Sequence, residues 1–224
     1  MENNRFFTQQ EITDLPKLLS QQRFQRYLEA RHDDVDAALR LYQWNLEISG
    51  EFLKILHLCE ISLRNGVADA ISAVHGEEWP WVQGFRISLL SPSRGYSPRR
   101  DLETVSNYHQ TSGKIIAELK FAFWEKMLNA NQQSRLWDTQ LSTHFPHLDF
   151  TIGAEHARDT LRQKVYSVRA LRNRIAHHEP IFYRPALRDD FLNILYVIEA
   201  RCPISANWIG EIQNVSEMLD NIPE

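Results

Sequence analysis

EFLKILHLCEISLRNGVADAISAV, residues 51–74, decides how the rest of the chain is read. Phe52, Ile55, Leu56, Cys59, Leu63, Val67, Ala70 and Val74 recur at spacings of three and four, which makes one apolar stripe on a helix. Ser49 and Gly50 are expected to separate it from an earlier helix, and His75-Gly76 to stop it. Working outward, residues 15–30 and 35–49 read as two shorter helices, the second capped by Asp33 or Asp34.

Downstream, WPWVQGFRISLLSPSRGYSPRR (79–100) is rich in Pro, Gly and Ser. It reads as a long ordered loop, because its Trp and Phe residues need something to pack on. Helix returns over TSGKIIAELKFAFWEKML, where Ile115, Ile116, Leu119, Phe123 and Met127 share a face and Thr111 or Ser112 is the cap. Phe145-Pro146 marks a break. A long helix follows over 153–178, then helices over 186–200 and 204–219, divided at Cys202-Pro203. No alternating strand and no repeat period stands out. The expectation is one all-α domain over 1–224: N-terminal helices over 33–76, a loop region over 77–112 and C-terminal helices over 113–219.

Composition narrows the class. A chain of 224 residues with 43% hydrophobic content supports a real core, and a net charge of −4 argues against coating nucleic acid by bulk charge. A local basic site remains open. Cys59 and Cys202 have neither CxxC nor zinc spacing, so a reducing cytoplasm is expected. The start, MENNRFFTQQEITDL, is polar and acidic without a signal-peptide core, and nothing approaches the roughly 20 apolar residues of a membrane span.

The helix AEHARDTLRQKVYSVRALRNRIAHH (154–178) has two faces at about 100° per residue. Ala157, Leu161, Val168, Leu171 and Ile175 form the core side. Arg158, Arg162, Arg169 and Asn173 line a flank with Tyr166 and His177, a candidate RNA-binding face or simply a solvated one. Asn173 and His177 are at i,i+4 and within reach. His178 points about 100° further round, nearer the apolar edge, so a structural role is expected for it. Pro180 ends the helix near His178. A zinc site at His177, His178 and Glu179 is not expected, since adjacent residues diverge on a helix and no HExxH appears. No cofactor is called for.

LRNRIAHHEPI (171–181) contains Arg172-Asn173, three residues, then His177. It resembles the RNxxxH signature of the HEPN superfamily. LYQWNLEIS, CEISLRNGVADAI, GKIIAELKFAFWEKML and LSTHFPH look like its Abi-like, abortive-infection branch, and together they span nearly the whole chain. The resemblance implies a helical bundle that dimerises with paired motifs face to face. In active members it implies a metal-independent endoribonuclease of antiviral defence. Carried over, Arg172 and His177 are catalytic and Asn173 positions them. A 2′-OH attack on phosphorus needs a base and an acid, and arginine's planar fork suits the phosphate oxygens.

LRNGVADA (63–70) echoes the motif with Asp69 in the histidine's place. Glu60, Arg64 and Asn65 are therefore read as structural or secondary, with a Glu60–Arg64 ion pair at i,i+4. The expected partners are RNA and a second copy of the chain, with an antitoxin, protein or RNA, as a further candidate. The alternative is a non-catalytic RNA-binding or protein-interaction module built on the same basic helix.

Overall fold

The computed structural model describes residues 7–224; the first six residues of the polar opening stretch lie outside the described residues. Among the described residues the regular structure is helical throughout, with no strand. The expected helix over 15–30 is two. Helix α1 (Gln9–Leu18) starts in a Thr8/Glu11 capping box, and α2 (Gln21–Ala30) is capped by Ser20 and buries Phe24 and Tyr27. Ser20 takes the amide of Arg23, so a new helix begins where the old one stops.

Helix α3 (Val35–His75) runs unbroken for 41 residues, about 60 Å at 1.5 Å per residue. Asp34 is its cap, accepting from the amide of Ala37 at 3.0 Å. The expected break at Ser49-Gly50 does not occur. Ser49 turns its hydroxyl onto the Asn45 carbonyl, and Gly50 lies on the exposed face with open space around it. A helical glycine costs about 1 kcal/mol relative to alanine. Burial of Ile48, Phe52 and Ile55 on either side outweighs that. The stop at Gly76 (φ 81°) is as read from the sequence.

The loop region over 77–112 is mostly short helices. Trp79–Trp81 forms a 3-10 turn, followed by α4 (Gln83–Ser88) and α5 (Pro98–Tyr108). Pro98 sits in the first turn of α5 behind the Ser97 cap, the position where its missing N–H costs nothing. Here proline starts a helix rather than forbidding one. The helix expected next is divided into α6 (Ser112–Glu118) and α7 (Phe121–Met127), with Leu119 extended between them. Ile115, Leu119, Phe121, Phe123, Trp124 and Met127 are all buried, and no single helical stripe accommodates that spacing.

A 3-10 turn at Ala130–Gln132 and a π turn at Gln133–Trp137 lead into α8 (Asp138–His144), which ends before Pro146. Helices α9 (Ala154–Ala176), α10 (Leu187–Glu199), α11 (Pro203–Ile212) and α12 (Val215–Asp220) complete the chain. The helix expected over 204–219 breaks at Gln213-Asn214, where Glu51 accepts the Asn214 amide at 3.2 Å.

The central α3 packs against α2, α7, α8, α9 and α10. Gly66 is required on its buried side: a Cβ there would lie 2.7 Å from Cζ of Phe145, itself fully buried. Trp79, Trp124 and Trp137 are fully buried in the same core, Trp137 edge-on to Phe145, and the Trp137 indole donates to the Met127 carbonyl at 2.7 Å. Among the described residues, no helix is long and apolar enough to cross a membrane.

Candidate functional site: the end of helix α9

Helix α9 stops two residues before His178, the end expected from Pro180. Ala176 is its last residue and His177 its C-cap. His178 then takes a left-handed conformation, φ 56°. The amide of Glu179 reaches back to the Arg174 carbonyl at 2.8 Å and that of His178 to the Ile175 carbonyl at 2.9 Å, the paired bonds of a Schellman cap. Glycine usually occupies the left-handed position, so His178 carries backbone strain there. It is exposed, not at the apolar edge, which corrects the sequence reading.

The outgoing segment is tied down at three points. Arg174 pairs with Glu179 at 3.2 Å, donates to the Pro180 carbonyl at 2.9 Å and lies over the Tyr183 ring. Asn45, on α3 and nearly buried, accepts the amides of Ile181 at 2.8 Å and Phe182 at 3.3 Å. Asp190, fully buried on α10, takes the Ser167 hydroxyl at 2.6 Å and the Arg184 guanidinium. That hydrogen-bonded carboxylate raises the Arg184 pKa. These contacts run α9 antiparallel to α3: Arg172 meets Glu60, and the segment beyond His177 returns to Asn45.

The arginine flank is not a uniform basic face. Arg158 is 2% exposed, donating to the Gln133 side chain at 2.6 Å and the Leu128 carbonyl at 2.5 Å. It ties the π turn and the end of α7 to α9, and burial lowers its pKa. Arg169 is bound to Glu125, a carboxylate of α7 that is itself 1% exposed. Its guanidinium also sits 5.6 Å from the centre of the exposed Tyr166 ring. Arg162 pairs with Asp159 on its own helix. Arg158 is thus structural, against the RNA-binding expectation, because it is buried among partners from other elements, while Arg169 is held by Glu125.

What remains open on α9 is its motif. Arg172 leaves 41% of its side chain exposed and has Glu60 at 3.8 Å, too long for a hydrogen bond. Asn173 is half-buried and His177 exposed, joined by the backbone bond from the His177 amide to the Asn173 carbonyl at 2.9 Å. Glu60 therefore pairs across helices with Arg172, and the expected Glu60–Arg64 ion pair is absent. Asp69 is held by Arg201 at 2.6 Å. Asn65 is exposed. Among the described residues, no group of three or more His, Cys, Asp or Glu side chains gathers to hold a metal ion.

The arrangement offers a half-exposed guanidinium and an exposed imidazole about one and a half turns apart on one helix end, held by buried clamps. The sequence reading missed three of those clamps, Asn45, Glu125 and Asp190. Asn45 was detectable, since it falls on the apolar stripe of α3 between Leu41 and Ile48, where an amide needs a partner. Comparison with known protein families, curated proteins and solved structures finds no match to this chain.

Proposed function

We propose that the protein is a toxin-like endoribonuclease that cuts RNA without a metal ion, in a defence role of the abortive-infection kind. The 2′-oxygen bonds to the adjacent phosphorus as the bond to the 5′-oxygen breaks. One imidazole takes the 2′ proton and another protonates the leaving oxygen. The products are a 2′,3′-cyclic phosphate and a 5′-hydroxyl. His177 moves the protons, Arg172 meets the charge on the phosphorane oxygens and Asn173 positions the pair.

The observation that carries this reading is the difference in commitment along α9. Arg158 and Arg169 are spent on buried partners, while Arg172 and His177 stay accessible at the helix end. One motif histidine per chain implies a two-fold dimer that brings two together. Membership of the HEPN superfamily rests on the RNxxxH resemblance, and the defence role rests on it too.

The test is incubation of the full chain with single-stranded RNA in EDTA. Cleavage to cyclic-phosphate ends is expected, lost in His177→Ala and in Arg172→Ala with melting temperatures unchanged. Cleavage that survives His177→Ala would overturn the assignment. Sedimentation at micromolar concentration is expected to give a dimer.

A further inference from the structure

We infer that Arg64 is a second phosphate-binding residue of the same site, so that α3 supplies the opposite wall of an RNA groove that runs from the end of α9 back past Arg172. The inference rests on the ribonuclease reading and extends it to residues outside the RNxxxH motif.

The case begins with what Arg64 lacks. Its Nε is buried without a hydrogen-bond partner, as are those of Arg31 and Arg174. Those two bond through their terminal nitrogens, whereas the half-buried Arg64 has no hydrogen bond or ion pair to any of the described residues. On the surrounding helices the other arginines are engaged. Arg40 pairs with Asp36, Arg158 binds Gln133 and Leu128, Arg162 pairs with Asp159 and Arg169 with Glu125. Arg174 holds Glu179 and Pro180, and Arg201 holds Asp69 and Ser62. An arginine that gives up part of its hydration without a protein partner calls for an external acceptor.

Its location says which acceptor. Arg64 stands one helical turn beyond Glu60 on the same face of α3, with Cβ atoms about 6 Å apart. Glu60 is directed to Arg172 on α9. Two arginines thus stand within about a helical turn of one carboxylate, one on each of two antiparallel helices, and only Arg172 pairs with it, so the local balance is positive. Asp69 does not offset it, because Arg201 already does. Successive phosphates of a single strand, bridged by two arginine forks, fit that charge and spacing. The LRN echo of the motif then has a role without a histidine: it holds the strand while the α9 copy acts on it.

The probe is a short single-stranded RNA oligonucleotide, bound to the full chain in a His177→Ala background and followed by fluorescence anisotropy over a range of salt. Arg64→Gln is expected to weaken binding about five-fold or more and to reduce the salt slope by about 0.7, one phosphate contact on a single strand. Arg64→Lys keeps the charge and the stem but loses the fork. It is expected to keep the slope with a several-fold weaker Kd, and it serves if the Gln variant melts below assay temperature. A Kd within two-fold of the parent for either folded variant overturns the inference and leaves the ribonuclease reading standing. A parent that binds no RNA overturns both.

Discussion

Replacing Asn45 by alanine removes one side-chain oxygen that serves two backbone donors on the far side of the sequence. The Ile181 amide, at 2.8 Å, belongs to a fully buried residue, whereas Phe182 is only partly buried. A buried N–H left without an acceptor costs about 1–3 kcal/mol, and a donor that can turn to water loses about 1 kcal/mol. Together the substitution is expected to cost about 2–4 kcal/mol, a fall in melting temperature of roughly 5–12 °C for a domain of this size. The loss is local in origin, so hydrogen exchange is the sharper assay. The amides of Ile181 and Phe182 are expected to exchange faster than those of the α3 core. If the Ile181 amide stays as protected as in the parent, Asn45 does not clamp the motif end, and the argument for a held α9 terminus fails.

His178→Gly is expected to stabilise the fold by about 0.5–1 kcal/mol, because glycine takes the left-handed cap position without a Cβ penalty; a lower melting temperature would refute the cap geometry. Arg158→Gln is expected to cost about 2–3 kcal/mol through two lost charge-assisted bonds to groups left without a donor. RNA affinity should stay unchanged at the same time, and an RNA-binding defect without loss of stability would restore Arg158 to the basic face.

Helical class was legible because burial imposes its period on the sequence, as the stripe from Phe52 to Ala70 shows. Breaks were less legible, for a reason of scale. A Ser-Gly pair costs only about 1 kcal/mol in a helix, so the packing of Ile48 and Phe52 decides whether the chain bends there, and a local reading does not contain that packing. The site shows the same limit. Angular position placed Arg158 and Arg169 together on one flank of α9. The partners that take them up, Leu128 and Glu125, come from α7 and its C-cap. Spacing reports which side chains share a face and is silent on what meets that face.

The clamp between Asn45 and Ile181 joins residues 136 positions apart. Contacts of such separation close late, after local helices have formed, because the intervening chain must first be ordered. During synthesis α3 leaves the ribosome whole, long before α9 exists to lie beside it. A chain interrupted ahead of Ala154 carries Arg64 but neither Arg172 nor His177, and so only one wall of the proposed groove. A protein able to cut RNA would in this way stay harmless to the message and the ribosome that are making it until its own translation is nearly over.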